Sequence, residues 1–441
     1  FIGNRLSSAR MVTADGIRLD LREVSSPVVC LCSKGDNITP PQQALGWITD
    51  LYKKDEDILA AGQTIIYCVH EKIGHLGIFV SGSVAQKEHQ EFASNIDLID
   101  CLPPGLYEAV IEEVRSDSAN LDLVIGNHIS RFERRTLDDI RAFGGNTEEE
   151  KRCFATVARL SEVNHGLYRT TLQPFVRALS TEQGASWLRR MHPLRLGYEM
   201  FSDSNPAMKP LATIAGKIKK ERSPVNADNP FLQAERFFSK CIEQGLENFR
   251  IWTEMTAEAA FFTIYDQQWL QALMGLRASD GPVRPHPGED SDQRAYVERQ
   301  MEELRQKMAE GGPREAALRA LVYVRMPEKF VDERSFAMLR RIREEHGAGK
   351  TLDEFKQDLR DQYFMLRLDE QRAVNLISTL MKGKENEWPE IVKLVERVAT
   401  AAGPLGKKGQ SRLDEVKRLV AVPGQAASKQ TAQKATNEAS K

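Results

Sequence analysis

Two short apolar runs separated by a capped helical stretch, all within the first 80 residues, constrain the fold more than any other feature of this chain. The first run, residues 28–33 (VVCLCS), is continuous and β-leaning, the pattern of a strand buried on both faces, and it ends in the turn Lys34-Gly35-Asp36. Thr39-Pro40-Pro41-Gln42 then supplies a side-chain cap, prolines where no helical N–H is needed, and a glutamine at the capping-box position. A helix to about Tyr52 is predicted. Residues 64–69 (TIIYCV) form the second strand, with Gly62 before it and Gly74 and Gly77 in the loop beyond. Strand, helix and strand in this order make a parallel pair, so the loops after both strands leave the sheet at one edge, where open α/β sheets hold ligands.

The texture changes after Pro103-Pro104-Gly105. Residues 107–114 and 121–125 read as two short strands around the turn Ser116-Asp117-Ser118-Ala119-Asn120, a hairpin. From the capping box Thr147-Glu148-Glu149-Glu150 onward helical periodicity dominates, including an aromatic-rich stripe of Phe231, Ala234, Phe238, Ile242, Leu246, Phe249 and Trp252. The fold class expected is α/β then all-α: the C-terminal part of an α/β sheet followed by a large helical extension. The domains expected are 1–103 as the α/β part, 104–146 as a hairpin connector, 147–285 and 286–403 as helical regions, and 404–441 as a disordered basic tail. The chain opens on Phe1 in sequence with the texture of a fold's interior, so an upstream portion is expected as well.

At 441 residues the chain is long enough for several domains with a substantial core. Its 61 basic and 63 acidic residues give a net charge of −2, which does not point to bulk attraction to nucleic acid or to an acidic membrane. The tail from Lys407 to Lys441 carries 8 basic and 3 acidic residues without interleaved aromatics, a solvated tail rather than a nucleic-acid patch. No apolar run reaches the ~20 residues that span a bilayer. The 6 cysteines form no C-x-x-C pair and no targeting signal is visible, so a cytoplasmic location is expected.

Asp36 and His75 are the candidate catalytic residues. Acyl chemistry of the triad type needs a base to take a nucleophile's proton and an acid to orient that base, and these two residue types follow consecutive strands in that order. Each has a plainer reading: Asp36 as a cap for turn amides, His75 as an ordinary loop histidine. No Gly-X-Ser-X-Gly or Gly-X-Cys-X-Gly elbow exists in the chain, so no nucleophile is assigned. Cys30 and Cys32, two apart on one strand, are expected to pack in the core. His70, Glu71 and His75 lack the four-residue histidine spacing of zinc proteases, and His128, His165 and His192 are scattered, so no metal site is expected. The aromatic stripe fits packing within a helical bundle or, as an amphipathic face, adsorption to an apolar surface.

The runs SPVVCLCSKGDNITPPQQALGWITDLY, HEKIGHLGIFVSG and EFASNIDLIDCLPPGLYEAV resemble a bacterial family of α/β-hydrolase proteins related to polyhydroxyalkanoate synthases. In those synthases a cysteine, an aspartate and a histidine transfer 3-hydroxyacyl groups from coenzyme A thioesters to a growing polyester. The resemblance implies that Asp36 in KGDNITP is the acid, that His75 in IGHLG is the base, and that the nucleophile lies upstream of Phe1. It implies a 3-hydroxyacyl-CoA or ester substrate, no bound cofactor, and an acyltransferase or hydrolase of which the printed residues alone are inert. The alternative is a non-enzymatic scaffold whose helices dock on a polyester granule, a lipid surface or a partner. The segment ALRALVYVRMPEKFVDERSFAMLRRIR is similar in pattern to the tellurite-resistance-associated helical fold, with no metal assigned.

Overall fold

A computed structural model describes residues 5–116, 118–124, 126–202, 204–283, 286–288, 291–345 and 351–420. The chain divides into two compact units, Asn146–Val283 and a second made of Asn4–Gly145 with Arg284–Lys441.

The second unit is built on a sheet. A two-stranded ribbon, β1 (Met11–Val12) against β2 (Arg18–Leu19), precedes it. The main sheet has five strands in the order β3 (Val28–Ser33), β4 (Thr64–His70), β5 (Gly105–Glu113), β6 (His128–Arg135) and β7 (Phe330–Asp332). β3, β4 and β5 are parallel; β6 and β7 are antiparallel to their neighbours. The sheet is therefore mixed. Helices α1 (Pro41–Leu51) and α2 (Asp55–Ala60) fill the crossover from β3 to β4.

The side-chain period of two explains the layering. From β4, Ile65 and Tyr67 join Leu45, Ile48, Leu51 and Ile58 of the crossover helices, while Ile66 and Cys68 point to the other face and join Leu98, Ile99 and Phe132. β4 is thus the strand buried on both faces. β3 is not, contrary to its apolar run: it forms an edge of the sheet, only Cys32 and Ser33 are buried, and Val29 is 40% exposed. Thr39 does not cap α1 either; Pro40 occupies the N-cap position with no side-chain bond, because the Thr39 hydroxyl is engaged elsewhere.

No domain boundary falls at Pro104. β5 pairs in parallel with β4, so the expected connector is a central part of the sheet. The hairpin partner of β5 is β6, not residues 121–125: Asn120 adopts a left-handed conformation, Leu121–Leu123 form a single 3-10 turn, and Ile125 lies outside the described residues. The strand missed is His128–Arg135, where Ile129, Ser130 and Phe132 are buried among charged neighbours in a pattern that does not follow a clean period of two.

The region 286–403 is not a separate module. β7 completes the sheet, and helix Pro313–Arg325 buries Ala316, Ala320 and Val324 among Tyr363, Leu366, Val374, Ile377, Trp388 and Val395 in one core. The expected disorder from 404 is corrected as well: Lys407–Leu419 is a helix whose Leu413 and Val416 are fully buried, and the Val416 carbonyl accepts the Trp388 indole N–H at 3.2 Å. Residues 421–441 lie outside the described residues.

The unit Asn146–Val283 is helical throughout. Thr147 and Glu150 form the expected capping box, opening the 24-residue helix Glu148–Thr171. The 36-residue helix Pro230–Tyr265 meets it only near its C-terminal end, where the Phe154 and Phe261 rings lie 4.9 Å apart. Packing of the aromatic stripe within a bundle does not occur: Phe231 is 83% exposed and Trp252 64%. None of the described helices is long and apolar enough to cross a membrane.

Candidate active site

The parallel pairing of β3 and β4 sets Ser33 opposite His70, so both chains leave the sheet at the same level. Lys34 N–H donates to the His70 carbonyl at 2.9 Å, carrying the ladder one residue beyond the strand. Gly35 then passes so close to the other loop that a Cβ there would stand 2.5 Å from the Lys72 carbonyl carbon. Only glycine allows that approach. On the second loop, His70 Nδ1 accepts the backbone N–H groups of Lys72 at 3.2 Å and Ile73 at 3.3 Å, fixing a tight turn. Two loops locked backbone to backbone leave little freedom in how Asp36 and His75 meet.

They do meet. Asp36 Oδ2 lies 2.9 Å from His75 Nδ1. Asp36 is also the turn cap of the plainer reading, since its Oδ1 accepts the Ile38 N–H at 2.8 Å and the Thr39 N–H at 3.0 Å. The Thr39 hydroxyl donates to Oδ2 at 2.8 Å and stands 3.1 Å from His75 Nδ1. Capping and orienting are one arrangement, because the amides hold the carboxylate still while it holds the ring.

Burial opposes ionisation of Asp36, whose side chain is fully buried, but the hydrogen bonds from the Thr39 amide, His75, the Ile38 amide and the Thr39 hydroxyl outweigh it. The carboxyl is held well below the usual carboxylate range. An ionised carboxylate only accepts, so in the neutral imidazole Nδ1 carries the proton and Nε2 holds the free lone pair. None of the described residues hydrogen-bonds Nε2, and the ring is 35% exposed.

No nucleophile stands ready in the described residues. The Cys32 thiol donates to the Cys68 carbonyl at 3.6 Å and is pushed up to about 12 by burial; burial also raises Cys30, which packs against the same core cluster. The Ser81 and Ser83 hydroxyls bond each other at 2.8 Å. Among the described residues no group of three or more histidine, cysteine, aspartate or glutamate side chains is placed to hold a metal. His70 acts as a turn cap.

The two loops and the turn of helix after them expose apolar side chains: Ile38 is 60% exposed, Leu76 70%, Phe79 72% and Val80 79%. Single exposed apolar residues are ordinary; four within the two short segments that follow consecutive strands are less so.

A second titratable cluster was not anticipated. Glu333 is buried and pushed up to about 7, chiefly by burial, with Glu91 nearby adding to the shift. Asn95 Nδ2 donates to it at 3.1 Å, Ser130 Oγ donates to Glu91 at 3.0 Å, and His128 Nδ1 lies 3.6 Å from Glu91. These residues come from segments 238 positions apart, a proximity that no local spacing encodes.

Over residues 1–308 the chain matches the family described as a protein of unknown function (DUF3141). The chain belongs to this family. It is 48% identical over 429 residues to an "Uncharacterized protein in ackA 5'region" from Rhizobium meliloti, a match that covers 97% of this chain and 58% of that protein. The chain thus spans a little over half the length of that curated relative. No solved structure matches it.

Proposed function

We propose that Asp36 and His75 are the acid and base of an acyl-transfer centre of the α/β-hydrolase type, in a protein related to polyhydroxyalkanoate synthases, with a nucleophile supplied by residues outside this chain. The observation that carries the reading is the 2.9 Å contact between a buried, ionised Asp36 and His75 Nδ1, which leaves Nε2 without a hydrogen bond from the described residues on a ring that is partly exposed. In this reading His75 takes the proton of an incoming cysteine or serine as that group attacks an acyl thioester or ester, then returns it to the leaving group. Asp36 fixes the tautomer and stabilises the imidazolium between the two steps.

Two further features support it. β3 has the sequence of an interior strand yet stands at the sheet's edge, as if more strands belong beyond it. Ile38 and Leu76, next to the dyad in sequence, and Phe79 and Val80 of the following helix are exposed apolar side chains suited to an acyl chain or to covering protein. The setting proposed is the cytoplasm and the substrate a 3-hydroxyacyl-CoA or a related ester.

The test is hydrolysis and transfer of acyl-CoA and p-nitrophenyl acyl esters by a protein containing this chain together with the rest of its parent sequence. Asp36→Asn is expected to lower the rate by about 10³–10⁴-fold, as loss of the correct tautomer does in other triads. His75→Ala should lower it at least as far. Rates unchanged in both variants would remove the assignment.

A second reading, a scaffold that docks on a polyester granule or lipid surface, is favoured by the exposed stripe of helix Pro230–Tyr265. Co-sedimentation of the full chain with polyester granules or vesicles, abolished by Phe238→Ser with Trp252→Ser, would support it. Recovery of the chain in the supernatant with both would discard it.

A further inference from the structure

At the opposite end of the sheet from Asp36 and His75 lies a cavity of about 120 Å³, walled by Leu98, Leu321, Leu339 and Val398. Its place follows from the register: Arg134 of β6, which lines it, faces Tyr107 near the start of β5, whereas the dyad follows the C-terminal ends of β3 and β4. Three groups in its wall are at odds with an apolar, empty space. The Ser335 hydroxyl, 7% exposed, is buried with no hydrogen-bond partner, and the Tyr363 hydroxyl, on a residue 2% exposed, has none in good geometry and only the Arg134 guanidinium close by. Orphan hydroxyls at such depth are costly and rare.

The third is Arg134. No carboxylate pairs with it among the described residues; its guanidinium carbon is held 5.6 Å from the Tyr107 ring centre and 5.0 Å from that of Tyr363. Aromatic faces stabilise a cation partly but do not replace an anion. The other charged groups in the wall are Arg325 and Glu328. Arg325 donates to the carbonyls of Ala399 and Phe330, each at 3.1 Å, and Glu328 accepts the Gly406 N–H at 2.9 Å. Glu328 and the buried Asp332 both act on Arg325, so of the two guanidinium groups in the wall Arg134 is the one with no carboxylate partner among the described residues. A half-buried cation without a carboxylate partner favours an anion of matching geometry, and a planar carboxylate matches a guanidinium fork.

We propose that this cavity binds a small amphipathic monocarboxylate, with its carboxylate on Arg134 and the hydroxyls of Tyr363 and Ser335, and its hydrocarbon body among the leucines. The volume limits the body to a single ring or about six carbons, since an engineered apolar cavity of roughly 150 Å³ accommodates benzene. The site is separate from the proposed acyl-transfer centre and stands or falls independently of it.

The test is titration of the full chain with phenylacetate and hexanoate, followed by calorimetry and ligand-observed NMR, beside the neutral isosteres phenylacetamide and hexanamide. The expected result is saturable binding of at least one acid below about 1 mM, and at least ~10-fold weaker binding of its amide. Arg134→Gln should erase that preference, Leu339→Phe should reduce affinity for both acid and amide by occupying the body's space, and Asp36→Asn should leave binding unchanged. Circular dichroism checks that each variant is folded; were Arg134→Gln to unfold, the acid–amide comparison on the unaltered protein decides alone. No saturation by either acid up to about 10 mM, equal binding of acid and amide, or a preference that survives Arg134→Gln in a folded protein would each overturn the proposal.

Discussion

Helices Pro230–Tyr265 and Pro313–Arg325 have similar apolar content to the eye and opposite fates. The first runs 36 residues, about 54 Å at 1.5 Å per residue, and buries none of them. The second runs 13 residues and buries eight: Ala316, Leu318, Arg319, Ala320, Leu321, Val322, Tyr323 and Val324. It is a core helix so enclosed that even its arginine is inside, with Arg319 Nε donating to Gln362 Oε1 at 2.7 Å and Nη1 to the Ala373 carbonyl at 3.2 Å. An amphipathic pattern states that a face is apolar; it does not state what, if anything, covers it. The covered helix carries stability, and the uncovered one carries surface.

The comparison is open to direct attack. The largest effect is expected at Trp388, which is 1% exposed against the helices of the core: Trp388→Ala should destabilise by about 3–5 kcal/mol in urea denaturation. Trp252→Ala, on the uncovered helix, should change stability by no more than about 0.5 kcal/mol. Comparable losses from the two tryptophans would erase the distinction.

A smaller effect is expected at Glu333. Its carboxyl is raised from 4.5 to about 7 in the fold, so the folded state holds a proton that the unfolded state releases. The stability associated with that proton is present below about pH 4.5 and is lost as pH rises through about 7. Glu333→Gln keeps an acceptor for Asn95 and removes the titration. It should melt about 2–4 °C above the parent at pH 8, with the gap closing by pH 5. A gap that does not depend on pH would show that Glu333 is not the titrating group. The smallest effect is on surface chemistry: Phe238→Ser with Leu246→Ser should leave the melting temperature nearly fixed while reducing fluorescence of an apolar-surface dye.

The dyad was legible because it is local. Asp36 and His75 sit just beyond consecutive strands, and a crossover helix between them forces parallel pairing, so spacing alone placed both loops together. Thr39 has the sequence position of a helix cap, yet it lies three residues after Asp36 and its hydroxyl folds back on that carboxylate instead. The close approach at Gly35 was not visible, since it depends on a neighbouring loop. The outer sheet was less legible. β6 lies beyond a left-handed turn, and β7, three residues long, returns after the whole helical unit; no local pattern announces such a strand. The cluster of Glu91, His128 and Glu333 and the cavity around Arg134 were hidden for the same reason. Helix Lys407–Leu419 was hidden by composition, because Leu413 and Val416 are enough to anchor a helix whose other side chains are mostly charged or small.

Among the described residues β3 has a strand neighbour on one side only, and its backbone amides and carbonyls on the other side form a ready-made rail. A further parallel strand laid on that rail would end beside the loop that holds Asp36, delivering its own following loop to the neighbourhood of the His75 imidazole. Under the acyl-transfer proposal, extending the sheet and furnishing the imidazole with something to deprotonate would then be a single event, with the zipper of hydrogen bonds setting the alignment.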